Sequence, residues 1–358
     1  MGTVYVRWVW CRAVLHRGWW LVTSIYLVAD ARLDAGRLVL IGVAQSVVAL
    51  LFEVPAGVVA DTLSRRWSLV VSHVVMGTAM LTTALVDGFP ALLAAQALWG
   101  LSWTFASGAD VAWISDELGD PAEVPLVLIR AERAQLTGTV AGLMGVGGLA
   151  WLIGRSPAMV TAGASMTLLG LYVGVRFQEH RFVPAAARRW RAAWAILRQG
   201  VRGSRVLLVV FVSSMLVNGV ADAFGRLYPL RLLGLAPAAD PVVWFTGLSV
   251  VMCLVGAAAL RLVQPWVGGA RTVRRGYAAA CAVAAAGVAG LALAPGAVSG
   301  SVAVVLAAGA FPLTRSFATL WVNAETAGAV RATVHSLLAQ AGYVGTIICG
   351  LTIAVSGR

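Results

Sequence analysis

The 358-residue chain is 60% hydrophobic and only 12% charged, with a mean hydropathy of +0.86 and a formal net charge of +12. Soluble domains carry about 25% charged residues, so this composition excludes a large soluble core and predicts a polytopic membrane protein. All 27 basic residues are arginine, which excludes a P-loop lysine and a Schiff-base lysine. The basic excess is read as the positive-inside bias of a membrane protein, and no nucleic-acid partner is expected.

A spanning helix needs about 20 mostly apolar residues, and segments of that length are predicted near 5–29, 38–60, 67–87, 90–115, 135–154 and 157–177. Asp87-Gly88-Phe89-Pro90 and Gly154-Arg155-Ser156-Pro157 are turn signals between tight helix pairs. A polar, arginine-rich stretch follows at 178–205, and part of it, 185–199, reads as a basic amphipathic helix at the membrane surface. Five further helices are predicted near 206–228, 241–263, 276–294, 298–321 and 332–355.

The domains are therefore 1–177, a six-helix transmembrane bundle; 178–205, a cytoplasmic basic linker; and 206–358, a bundle of about five helices. Arginine is concentrated at the start of the first helix and after every second one, which puts those segments and the N-terminus in the cytoplasm. An odd helix count puts the C-terminus outside. Cys11, Cys253, Cys281 and Cys349 read as small packing residues. With the four histidines equally scattered, neither a metal site nor a cofactor is expected.

Charged residues inside spans usually face the bundle interior or water. Ser214, Asn218, Asp222 and Arg226 recur every four residues and share one helix face, where Asp222 and Arg226 can pair. This face is read as cavity-lining. Trp103, Ser107 and Asp110 lie near one face of the fourth helix, and Glu53, Gly57 and Asp61 form a stripe on the second. Arg12 either supplies the counter-charge of Glu53 or marks the cytoplasmic interface. Arg315 and Glu325 read as interfacial. The tryptophans are read as interface anchors and packing groups, with Trp103 as a cavity candidate.

The stretch Gly57-Val58-Val59-Ala60-Asp61-Thr62-Leu63-Ser64-Arg65-Arg66 resembles the helix 2–3 loop signature of the major facilitator superfamily. Gly57, Asp61, Arg65 and Arg66 match it; Thr62 and Ser64 depart. Further segments resemble a bacterial, drug-efflux-like subgroup of these permeases. They are Ala97-Leu98-Trp99-Gly100 with Trp113-Ile114-Ser115-Asp116-Glu117, Arg133-Ala134-Gln135, and Trp321-Val322-Asn323 with Val330-Arg331-Ala332-Thr333.

The resemblance implies an all-α, two-bundle fold of twelve helices, of which this chain has six plus an incomplete second bundle of five. It implies a non-enzymatic secondary transporter working by alternating access in the bacterial cytoplasmic membrane. Proton-coupled efflux of a drug-like compound is the expected activity, by a monomer; an uptake permease, a uniporter or a truncated non-transporting protein are the alternatives. Two features depart from proton-coupled exporters. Gln96 stands where many carry arginine, and the glycines of 138–148 lack the accompanying proline.

The resemblance also implies a cytoplasmic gate. Asp61 would meet the start of the last helix near Arg331, and Arg65 or Arg66 would pair with Asp116. A coupling carboxyl must be neutral in one state and charged in another. Asp222, one turn from Arg226, reads as held charged, which leaves Asp110 and Glu53, with Asp110 preferred.

Overall fold

The computed structural model describes residues 1–120, 122–184, 205–235, 240–264, 269–326 and 331–356. The described residues are all-helical. Seven helices precede the linker: α1 (Gly2–Ala29), α2 (Ala35–Thr62), α3 (Arg65–Leu85), α4 (Phe89–Ala106), α5 (Ala109–Leu118), α6 (Val124–Ile153) and α7 (Arg155–Arg176). After it come α8 (Arg205–Gly234), α9 (Pro241–Val263), α10 (Ala270–Leu293), α11 (Ala297–Glu325) and α12 (Arg331–Ser356). Among the described residues nine helices are long and apolar enough to cross a membrane. The surface amphipathic helix expected at 185–199 lies outside the described residues.

The chain divides into two compact units. One comprises Met1–Leu33, Ala44–Ala187 and Val242–Thr246; the other comprises Asp34–Val43, Arg188–Pro241 and Gly247–Arg358. Within the first, α1 packs on α6 and α7, and α3 on α4 and α7. Within the second, α8 packs on α11 and α12, and α10 on α11. Large apolar side chains such as Leu152, Val175, Leu293 and Val298 are exposed, as lipid-facing residues are in a multi-pass membrane protein.

Local sequence chemistry sets the helix ends. Ser64 caps α3, its Oγ accepting the Trp67 amide at 3.0 Å. This gives the departure at Ser64 a physical role. Gly88 and Gly154 take positive φ values of 85° and 95° at the two predicted tight connections. The α1–α6 interface is tight: a Cβ added at Gly142 would lie 2.2 Å from the Val14 carbonyl oxygen, so only glycine lets the two backbones approach. Gly138, set against the Trp10 carbonyl, serves the same purpose.

One predicted helix is not continuous. The span expected at 90–115 breaks after Ala106 and restarts at Ala109. Ser107 has ψ 112°, and Gly108 takes φ +75°, a left-handed conformation that glycine adopts without steric cost. A Cβ built at Gly108 would meet nothing within 4 Å. The backbone conformation, not lack of space, is what calls for glycine there.

Candidate functional site

Two polar assemblies lie in the first unit. One surrounds the α2–α3 connection. The Arg65 guanidinium forms an ion pair with Asp116 at the end of α5 and donates to the Ala112 carbonyl at 2.8 Å. Arg66 instead donates to the Gly174 carbonyl near the end of α7. Glu179, just beyond α7, accepts from the Ser64 hydroxyl at 2.5 Å and from the Arg66 amide at 3.0 Å. Glu117 accepts the His180 and Arg181 amides at 2.9 and 3.0 Å. The segment after α7 thus ties the start of α3 to the end of α5, and Glu179 was not singled out from sequence. Asp61 is exposed, and a Cβ at Gly57 would be unobstructed. The Arg331 side chain lies outside the described residues.

The second assembly is a cavity of about 160 Å³ lined by α1, α4, α5 and α6 and open on one side. Its polar lining includes Tyr5, Arg12, His16, Asp110 and Glu132, with Trp103 as its indole wall. The helix break builds it. Asp110 falls in the first turn of α5, where unsatisfied amides favour a carboxylate. Its Oδ1 accepts the Val111 amide at 2.8 Å, and its Oδ2 lies 3.6 Å from Arg12 Nη1. The Arg12 guanidinium sits over two indoles, 5.1 Å from the Trp103 centroid and 5.4 Å from that of Trp8. Trp8 is fixed in turn by donating to His73 Nε2 at 3.1 Å.

Three rings lie nearly parallel to Trp99 beside this pair, though His16 and Trp103 are tilted 34° to each other. Trp99 stacks with His16 at 5.5 Å and 17°, with Trp19 at 6.3 Å and 18°, and with Trp103 at 6.3 Å and 19°. His16 Nε2 and the indole nitrogens of Trp19 and Trp99 are buried and have no hydrogen-bond partner among the described residues. Groups of this kind usually find partners.

Several expectations are corrected here. Arg12 meets Asp110 at 3.6 Å, while Glu53 Oε1 accepts from the Ser107 hydroxyl at 2.7 Å. The break rotates α5 against α4, so Ser107 faces α2 while Asp110 faces α1. The Asp110 carboxyl therefore also has an arginine neighbour, and the reasoning that set Asp222 aside for having one applies to both. Gln96 belongs to a buried neutral network, accepting from Gln45 Nε2 at 2.8 Å and donating to Thr83 at 3.0 Å. It borders no cavity wall formed by Arg12. The tryptophan reading was too general: Trp99 and Trp19 join Trp103 in one stack with His16. The i,i+4 spacings Arg12–His16 and Trp99–Trp103 were the available signal.

In the second unit the α8 stripe is assembled differently. Arg226 pairs with Asp222 through two hydrogen bonds, Nε to Oδ2 at 2.8 Å and Nη2 to Oδ1 at 3.1 Å. Asn218 donates to the Ser214 carbonyl at 2.8 Å and accepts from Arg315 Nε at 3.2 Å. Arg315 thus meets the α8 stripe instead of serving only as an interfacial charge. Gly42 of α2 lies against the ion pair: a Cβ there would be 2.3 Å from Arg226 Nε and 2.6 Å from Asp222 Oδ2.

An all-helical membrane chain with these two units has the two-bundle major facilitator fold. No protein-family model and no curated protein matches it. Solved structures do. A variant of the nucleoside transporter NupG superposes with a TM-score of 0.79 at 15% identity, covering 99% of this chain and 91% of that one. A bacterial homologue of the human lysosomal transporter Spinster, inward-facing and unoccupied, gives 0.73 at 15% identity, over 98% and 80% of the two chains. A D-xylose–proton symporter gives 0.70 at 14% identity, over 99% and 90%. At these identities the likeness is one of fold.

Proposed function

We propose that the protein is a secondary transporter that moves a small molecule across the bacterial cytoplasmic membrane by alternating access. Residues 1–177 and 206–358 would be the two moving bundles, and 178–205 the cytoplasmic linker between them. Neighbours in fold that carry nucleosides or xylose support this reading. The observation that carries it is the Arg12–Asp110 pair bordering a cavity inside an apolar helical unit. Charges are expensive there and are kept where ions or substrates pass.

Proton coupling is assigned to Asp110. Its arginine contact is long and single, so a proton can replace that contact without dismantling a bidentate pair. Proton-driven efflux of a drug-like compound is the direction the sequence resemblance implies. Uptake is the second reading, favoured by the same pair: protonating Asp110 frees Arg12 for an anion, so proton and substrate would bind together. The cytoplasmic gate is assigned to Gly57, Asp61, Arg65, Arg66, Asp116 and Arg331. Asp61→Asn is expected to slow turnover without unfolding the protein, and unchanged turnover would remove Asp61 from the gate. Everted vesicles carrying the protein test the main reading. Substrate addition should collapse an imposed pH gradient under efflux, and an outward substrate gradient should move protons under symport. Substrate flux with no proton movement in either assay would leave a uniporter.

A further inference from the structure

We propose that the cavity between α1, α4–α5 and α6 binds a single-ring aromatic carboxylate, held by Arg12 and stacked on Trp103. The inference names a substrate class for the transport reading and rests on that reading for its purpose, but its test is a binding measurement.

Size comes first. The cavity has a volume of about 160 Å³, and a cavity of about 150 Å³ admits one benzene ring. Shape comes from the indoles. Trp103 is 39% exposed, and the Trp99 ring lies nearly parallel to it, at 19°. A flat ring continues that stack at little conformational cost.

Charge selects an acid. A guanidinium presents a planar fork suited to two carboxylate oxygens. Arg226 uses its fork in that way on Asp222. Arg12 does not: Asp110 approaches it through one contact at 3.6 Å, beyond hydrogen-bond length. His16 stands one turn further along α1, lines the same cavity, and has a buried Nε2 with no partner among the described residues. An aromatic cation would instead have to share the cavity with Arg12 and Arg17.

A ligand carboxylate on Arg12 competes only with the single long Asp110 contact. The other charged groups lining the cavity are Arg17 from α1 and Glu132 from α6.

The test is equilibrium dialysis of the purified full chain in lipid nanodiscs with labelled benzoate, cyclohexanecarboxylate and benzylamine. Benzoate should bind saturably, cyclohexanecarboxylate about tenfold more weakly, and benzylamine not at all. Trp103→Leu should remove the preference for benzoate over cyclohexanecarboxylate, and Arg12→Gln should abolish binding. Asp110→Asn should bind benzoate at least as tightly as the parent protein; it decides the matter if Arg12→Gln does not fold. Preferential benzylamine binding, absence of saturable benzoate binding, or weaker binding by Asp110→Asn would each overturn the site. Benzoate binding without benzoate flux in proteoliposomes sinks the transport reading and keeps the site; flux of another solute without benzoate binding does the reverse.

Discussion

The two units solve the same electrostatic problem in different ways. In the second, Asp222 and Arg226 lie one turn apart on α8 and meet through two short hydrogen bonds, with the arginine side chain only 8% exposed. Both partners ride on one rigid helix, so no movement between helices parts them. In the first unit Arg12 and Asp110 belong to different helices and touch through one 3.6 Å contact, with the Arg12 guanidinium over two indole faces. That pair depends on how α1 meets α5. A pair fixed within a helix is suited to structure, and a pair strung between helices beside a cavity is suited to switching.

The largest effect should come from neutralising each acid in turn. Asp110→Asn is expected to reduce proton-driven transport to background while leaving downhill exchange. Asp222→Asn should instead retain gradient-driven transport and lose stability, on the order of 3 kcal/mol, because Arg226 is buried and loses this carboxylate. Transport assays in vesicles and unfolding in detergent separate the two. If Asp222→Asn stops proton-driven transport and Asp110→Asn does not, the switching role belongs to α8. If Glu53→Gln alone stops it, the role belongs to Glu53.

A second, smaller effect probes the rigid pair through its neighbour. Gly42→Ala puts a methyl group where Arg226 Nε and Asp222 Oδ2 already lie. Overpacking of this kind costs about 1–3 kcal/mol. Because the cost passes through the ion pair, it should shrink in an Arg226→Gln background, with a coupling of about 1 kcal/mol. Strict additivity in the double-mutant cycle would mean that Gly42 does not seat the pair.

The contrast also marks what could be read in the sequence. The Asp222–Arg226 contact follows from i,i+4 spacing, a local geometry that needs no tertiary knowledge. The spanning helices were legible because their apolar runs are long. The Arg65–Asp116 contact was legible only through family resemblance, since nothing in the spacing brings α3 to α5. The Arg12–Asp110 pair was not legible. It depends on the Ser107–Gly108 break, and a single glycine within an apolar run is usually tolerated inside a helix. The ring stack was hidden for the same reason: His16 and Trp99 meet only when α1 and α4 are packed. Glu179 sits at the start of the linker, where a lone acid among arginines carries no periodic signal.

The smallest expected effect tests whether that break is what makes the loose pair. Gly108→Ala adds a methyl group that touches nothing within 4 Å, so its cost comes from the backbone at φ +75°. A left-handed conformation costs an L-residue about 1–2 kcal/mol. Asparagine tolerates it better, so Gly108→Asn should recover part of the loss. Detergent unfolding should rank Gly108 above Asn and Asn above Ala. If the strain is relieved by straightening α4 into α5, Asp110 turns away from Arg12. The alanine variant should then shift the pH dependence of transport toward that of Asp110→Asn, while Asp222 and Arg226 stay as they are. Equal stability of all three proteins would mean that the chain bends at Ser107 without needing the left-handed glycine. The position of Asp110 would then rest on α1 and α6 packing alone.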